Sequence, residues 1–147
     1  MVSAQVSVAP AFVGTPQAEP EFRLHECKGL ALVVDDNPDI TDMLAAVLRH
    51  AGYTVSTAHS APDALTTALS KHFDVIVSDI GMPGMTGHDL ARALRAMPEY
   101  RATPMVAVTG FDMYDDRERS AEAGFSAHLR KPIDPLALTQ AVQGIWH

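Results

Sequence analysis

The chain has 147 residues, which is room for one domain of ordinary size and a short tail. Its formal net charge is −7 and its Lys and Arg residues are dispersed, so it lacks the basic surface that nucleic acids require, and we expect no nucleic-acid partner. A single cysteine, no apolar run near the ~20 residues of a membrane span and no signal-peptide pattern favour a cytoplasmic protein with no membrane partner.

The first 28 residues differ from the rest of the chain. They contain Pro10, Pro16 and Pro20 among small residues, with no sustained helical or strand period. We therefore predict a flexible tail or linker over residues 1–28 and a folded domain over residues 29–147.

From Leu30 onward, short apolar runs alternate with helical patterns. In chain order, the predicted strands and helices are Leu30–Val34, 38–51, Tyr53–Thr57, 61–71, Asp74–Ser78, 87–97, Pro104–Val108, 114–123, Phe125–Leu129 and 135–146. The strands are apolar on both faces, which is typical of a parallel sheet covered by helices on each side. Five such units in succession predict a doubly wound α/β fold.

The first predicted helix has clear end signals. Asn37 followed by Pro38 supplies an N-cap and a first-turn proline, and Gly52 follows the last turn. Thr86 and Asp89 have capping-box spacing at the third helix. An apolar stripe at helical spacing predicts the buried face of the first helix: Ile40, Met43, Leu44, Val47 and Leu48.

Polar side chains follow four of the five predicted strands. Asp35 and Asp36 follow the first strand, Asp79 the third and Thr109 the fourth, and the fifth leads to Lys131. Each residue alone is most simply a turn, cap or surface residue. In open α/β sheets, however, ligands bind beyond the carboxyl ends of the strands, so the joint placement predicts one site.

Three carboxylates at one edge repel each other unless a cation is present. Oxygen ligands without His or Cys suit Mg²⁺, which commonly shares a phosphate oxygen. The Asp79 carboxylate is then placed to attack phosphorus, while Lys131 and the metal neutralise charge on the phosphoryl oxygens. The Thr109 hydroxyl can donate a hydrogen bond to another of these oxygens.

Four segments resemble the receiver domains of response regulators. Val33–Asn37 resembles the acidic pair of that family, Asp79–Gly87 its phosphoacceptor segment, Val106–Gly110 its hydroxyl-bearing strand and Arg130–Pro132 its lysine motif. The resemblance covers about Leu30 to Trp146. It implies a flavodoxin-like sheet of five parallel strands in the order 2-1-3-4-5, with five helices on two faces.

The resemblance also implies an activity and its partners. Asp79 is expected to accept a phosphoryl group from a phosphohistidine of a sensor histidine kinase or a histidine phosphotransfer protein. Mg²⁺ is expected to be held by Asp36, Asp79 and the backbone carbonyl of Gly81, with Asp35 acting through water. Such a protein catalyses only its own phosphorylation and dephosphorylation.

A conformational switch is implied as well. Thr109 is expected to move toward the phosphoryl group while the ring three residues before the lysine turns inward. That ring is His128 here, where Tyr or Phe is commoner, and its protonation could add pH sensitivity. The implied output surface is the face of helix 4, strand 5 and helix 5, which would contact a downstream protein or a second copy.

Two neighbouring positions bear on the lifetime of the phosphoryl group. Gly81 offers no side chain to orient an attacking water, and Phe111 could shield the acyl phosphate. We therefore predict slow intrinsic hydrolysis.

The alternatives differ in class. A stand-alone receiver is the leading interpretation, followed by a receiver that is part of a hybrid kinase. An aspartyl-phosphate phosphatase of the haloacid dehalogenase type requires a second Asp two residues after the nucleophile. Gly81 occupies that position here, which argues against this alternative. A nucleotide-binding flavodoxin-like module requires a glycine-rich turn after the first strand to hold phosphate. Residues 35–38 here are Asp-Asp-Asn-Pro, an acidic turn that repels nucleotide phosphates in the absence of a metal.

Overall fold

The computed structural model describes residues 28–110 and 116–144. Except for Lys28, the predicted tail over residues 1–28 lies outside the described residues, as does Phe111.

Five strands and five helices alternate along the described chain. Their bounds are β1 Gly29–Val34, α1 Pro38–His50, β2 Tyr53–Ala58, α2 Ala61–Ser70, β3 Val75–Asp79, α3 Gly87–Arg95, β4 Met105–Thr109, α4 Asp116–Ala123, β5 Ala127–Arg130 and α5 Pro135–Gly144, with a short 3₁₀ turn at Pro98–Tyr100. All strand pairs are parallel, and the sheet order is β2-β1-β3-β4-β5. The predicted doubly wound fold and its strand order are confirmed.

The sheet separates two apolar cores. On one face α2 and α3 pack through residues such as Ala64 and Leu90, and on the other α1 and α5 pack through Leu44 and Leu138. Every residue of β3 is buried, because this central strand is covered on both faces. Burial on both faces of the sheet therefore explains the continuous apolar pattern of the strands.

The end signals of α1 are confirmed, but its predicted buried stripe is partly wrong. The Asn37 side chain accepts a hydrogen bond from the Asp39 backbone N–H, and Gly52 has φ +107°. Leu44 and Leu48 are buried, whereas Met43 is 36% exposed. Ile40 and Val47 are half-buried.

Thr41 and Ala45 complete the buried face of α1 instead. They lie at the helical spacing 41, 44, 45 and 48, which turns Met43 outward. The Thr41 hydroxyl can be buried because it donates to the Pro38 carbonyl at 2.9 Å. A hydropathy pattern assigns Thr41 to the surface, since it does not include this local hydrogen bond.

Strand β5 begins two residues later than predicted. Gly124 has φ +116° after α4, and the Phe125 backbone N–H donates to the Ser120 carbonyl at 2.9 Å. Phe125 therefore closes the C-terminus of α4 and is not part of the sheet.

The start of α3 fixes the loop that follows Asp79. Thr86 and Asp89 form the predicted capping box, and the Gly87 N–H donates to the Ile80 carbonyl at 3.0 Å. A Cβ atom on Gly87 would collide with the backbone carbonyl oxygen of Asp79. Only glycine therefore lets the α3 N-terminus approach the end of β3 this closely.

We predict that Gly87→Ala lowers the free energy of unfolding by about 1–3 kcal/mol, because the added methyl group forces backbone apart. Urea unfolding followed by circular dichroism measures the change. The matched control is Gly81→Ala, where a Cβ meets no atom within 4 Å and the change should stay within about 0.5 kcal/mol. Equal effects of the two substitutions would contradict the close approach.

Candidate functional site at the carboxyl edge of the sheet

The five predicted polar residues lie at one edge of the sheet. Asp79 is the last residue of β3 and Thr109 the last of β4, while Asp35 and Asp36 directly follow β1. Lys131 is the first residue after β5. Because all strands are parallel, their carboxyl ends meet here, as the sequence analysis expected.

Asp35 is the most buried of these carboxylates, with 1% of its surface exposed. Its Oδ1 accepts a hydrogen bond from the Asn37 backbone N–H at 2.9 Å. Its Oδ2 lies 2.9 Å from Lys131 Nζ, in an ion pair that is largely shielded from solvent. Asp35 thus serves both as a turn residue and as a charge within the site.

Asp79 forms an ion pair with the same ammonium. Its Oδ1 is 3.5 Å from Lys131 Nζ, and the residue is 6% exposed. Burial and then the charge of Asp35 raise the pKa of Asp79, although Lys131 and the Gly81 backbone N–H oppose this change. The charged form of the Asp79 carboxyl group is therefore less favourable than that of an exposed aspartate.

Lys131 offsets part of this negative charge. Burial alone would lower its pKa, but its contacts with Asp35 and Asp79 outweigh burial and raise the pKa above the ordinary value. Lys131 therefore remains an ammonium at neutral pH.

The carboxylates of Asp35, Asp36 and Asp79 could share one cation. Each offers an oxygen, and these oxygens lie within 4.8 Å of one another. Within residues 28–110 and 116–144, this group of candidate ligands contains no His or Cys. The donor set fits Mg²⁺.

Gly81 and Thr109 border this acidic cluster. Gly81 is exposed, and the space where its side chain would stand is open to at least 4 Å. Thr109 is buried at the end of β4, and the stem of Lys131 passes beside the neighbouring Gly110. The predicted residues therefore lie at the acidic cluster or next to it, and the space beside Gly81 is open.

His128 lies deeper, along β5. It pairs with Ala107 in the sheet register and is half-buried. It borders a cavity of about 240 Å³, which Ser120 and Phe125 also line. His128 is thus separated from the carboxylates and adjacent to α4.

Two features of the structure have no counterpart in the sequence predictions. The Lys131–Pro132 peptide bond is cis, and no sequence pattern distinguishes this from the commoner trans form. His59, which follows β2, lies 3.1 Å from the Thr41 hydroxyl through its Nε2. Thr41 and His59 lie 18 positions apart in the chain, and no sequence pattern indicates that they meet.

Comparison with known proteins identifies the family. Residues 31–143 match the family model described as the response regulator receiver domain. The chain belongs to this family. The chemotaxis protein CheY4 of Vibrio cholerae has a similar structure, with a TM-score of 0.75 and 34% identity over 79% of this chain and 97% of that one.

Curated relatives contain receiver domains within longer proteins. The response regulator PleD of Caulobacter vibrioides is 40% identical over 78% of this chain, which spans 25% of PleD. The sensor histidine kinase RcsC of Escherichia coli is 34% identical over 71% of this chain, which spans 11% of RcsC.

Family membership defines the general role of the domain. It is a signalling receiver domain of a two-component system and not a conventional enzyme. Relatives that are histidine kinases include RcsC of Escherichia coli and BarA of Shigella flexneri. Every helix within residues 28–110 and 116–144 is too short or too polar to cross a membrane.

The raised pKa of Asp79 predicts how stability depends on pH. The folded state holds this proton more tightly than the unfolded state, so stability falls as pH rises from the ordinary value of 3.8 through the folded pKa. In metal-free buffer at pH 7, Asp79→Asn should therefore raise Tm, and the gain should shrink as the pH approaches 3.8.

Thermal unfolding of both proteins across this pH range measures the effect. Asp42→Asn, at an exposed position of α1, is the matched control and should leave Tm unchanged. A lower Tm for Asp79→Asn at pH 7 would show that Asp79 stabilises the fold as an anion.

Proposed function

We propose that Asp79 accepts a phosphoryl group from the phosphohistidine of a sensor histidine kinase or histidine phosphotransfer protein, and that the domain then signals by a conformational change. The observation that carries this proposal is one cluster in which three carboxylates lie within 4.8 Å and Lys131 lies 3.5 Å from Asp79. A purely structural ion pair with Lys131 would need only one carboxylate, whereas this cluster contains three.

The proposed reaction is a displacement at phosphorus. A carboxylate oxygen of Asp79 forms the new P–O bond, and the P–N bond to the donor imidazole breaks. The electron pair of that bond returns to the imidazole nitrogen, which takes up a proton. No oxidant or further reactant is required.

The acidic cluster supplies the proposed magnesium ligands. Asp36, Asp79 and the Gly81 backbone carbonyl would hold the ion, and Asp35 would act through water. When bound, Mg²⁺ neutralises negative charge on the phosphoryl oxygens and offsets the repulsion among the carboxylates.

Two side chains complete the proposed site. Lys131, which remains an ammonium, would pair with a phosphoryl oxygen after Asp79 has reacted. The Thr109 hydroxyl, at the end of the adjacent strand, would donate a hydrogen bond to another oxygen. Both groups favour the charge that develops during transfer.

The proposed switch joins this pocket to the surface. Thr109 would move toward the phosphoryl group, and the His128 ring would turn inward beside α4. The cavity of about 240 Å³ next to His128 offers space for such a movement. The face of α4, β5 and α5 would then contact a downstream protein or a second copy of the chain.

The receiver domain is proposed to extend over residues 29–147, in the cytoplasm. The family match over residues 31–143 supports most of this range. Relatives include both a response regulator and sensor kinases, so a stand-alone receiver and a hybrid-kinase receiver both fit the similarity.

Incubation with acetyl phosphate and Mg²⁺ should add one phosphoryl group to the wild-type chain, as measured by intact mass. Asp79→Asn should remain unmodified, because an amide is not a nucleophile toward phosphorus. Asp42→Asn retains the pocket and is the matched control, which should react like the wild type. Modification of Asp79→Asn to the wild-type level would refute Asp79 as the acceptor.

The radiolabelled phosphoprotein should lose its label slowly, since the open space beside Gly81 contains no side chain that could orient water. Gly81→Asn should shorten the lifetime by supplying an amide at this position, and Gly84→Asn, farther along the same exposed loop, is the control. A half-life of seconds in the unaltered protein would contradict this prediction.

A further inference from the structure

An exposed row of side chains runs along α1. The row consists of Asp39, Met43, Ala46 and His50, which follow one another at helical spacing. All four residues are exposed, and 36% of the surface of Met43 is accessible although it is a large apolar residue. Helix α1 therefore presents to solvent a row that is acidic at its start, apolar in its middle and basic at its end.

This row is complementary to a reversed copy of itself. Its steps are four, three and four positions, so they are symmetric about the midpoint between Met43 and Ala46. If two such helices pack antiparallel about a two-fold axis at that midpoint, Asp39 of each copy lies opposite His50 of the other. Met43 of each copy then lies opposite Ala46. An acid thus faces a base, and a long side chain faces a short one.

A groove beside Ala46 provides space for the Met43 side chain of a second copy. The groove lies between α1 and α5, has a volume of about 690 Å³ and is lined by Ala46 and Leu136 among others. Leu136 is 61% exposed there. Helix α5 contains no charged residue from Pro135 to Gly144. An apolar side chain that enters the groove therefore meets an uncharged helix on its far side.

The basic end of the row contains more than one base. The Arg49 guanidinium donates through Nη2 to the Val55 carbonyl at 3.2 Å, which holds the guanidinium near this end of α1. Lys28 and His50 both line the groove. In the antiparallel arrangement, Asp39 of one copy would approach this group of bases on the other, so the attraction does not depend on His50 alone.

We propose that two copies of this chain associate through α1, packed antiparallel, with Met43 of each copy in the α1–α5 groove of the other and Asp39 of each beside His50. This contact is distinct from the α4, β5 and α5 face considered above, because α1 does not belong to that face. It requires no phosphoryl group and is therefore independent of the proposed reaction at Asp79.

The size of the surface determines how tight this dimer should be. Helix α1 has 13 residues and is about 20 Å long, and α1 and α5 side by side are about 20 Å wide. The contact would thus cover roughly 400 Å² of each copy, which is about half of a standard interface. We expect a weak dimer, with a dissociation constant on the order of 0.1 mM.

Sedimentation equilibrium of the full, unphosphorylated chain from about 10 µM to about 1 mM tests the proposal. The average mass should rise from that of one copy toward that of two. Asp39→Lys and His50→Glu should each raise the dissociation constant about tenfold, because either change places like charges opposite each other at two symmetric positions.

Mixing the two variants provides the decisive measurement. In a dimer of one Asp39→Lys chain and one His50→Glu chain, the introduced lysine lies opposite the introduced glutamate, and the unaltered Asp39 and His50 face each other. The equimolar mixture should therefore associate at least as tightly as the wild type. A defect in folding cannot be rescued in this way, so recovery on mixing reports on the contact itself.

Asp63→Lys is the matched control, since it makes the same charge change in the first turn of α2, on the other face of the sheet. It should leave the dissociation constant unchanged. The mass of a single copy at every concentration would overturn the proposal. Equal association of the wild type and both α1 variants would also overturn it, because another face would then form the dimer.

Discussion

The arrangement of charge around Lys131 constrains the carboxyl edge of the sheet. One ammonium lies 2.9 Å from the Asp35 carboxylate and 3.5 Å from that of Asp79, and both acids are nearly buried. One positive charge cannot compensate the three acids of the cluster, so negative charge remains in excess. This excess suits a site that gains a cation, while burial and then the charge of Asp35 raise the pKa of Asp79.

The fold maintains this arrangement through its backbone. The Asp35 carboxylate is oriented by the Asn37 N–H, and Asn37 in turn caps α1. On the other side, Gly87 holds the start of α3 against the Asp79 carbonyl. Residues that look like ordinary turn and cap residues therefore position the site, and each has a structural role that does not compete with the proposed chemistry.

The two faces of the sheet have different relations to the proposed signal. The cavity beside His128 lies next to α4, whereas α1 and α5 cover the opposite face of the sheet. Helix α5 begins at Pro135, four residues after Lys131, so the start of this helix is close in sequence to the site. In relatives such as PleD and RcsC, the region similar to this chain is part of a longer protein.

The sequence alone determined the alternation of strands and helices, the parallel sheet and the location of the five polar residues, because apolar periodicity and strand-end position are local properties. It assigned Met43 to the core and Phe125 to β5 wrongly, since the buried arc of α1 and the closure of α4 depend on hydrogen bonds of Thr41 and Phe125. The sharing of Lys131 between Asp35 and Asp79, the cis bond before Pro132 and the open space beside Gly81 were decided only by tertiary structure. These features arise where segments that are distant in sequence come into contact. The distances between such segments depend on the packing of the whole domain and cannot be read from one segment alone.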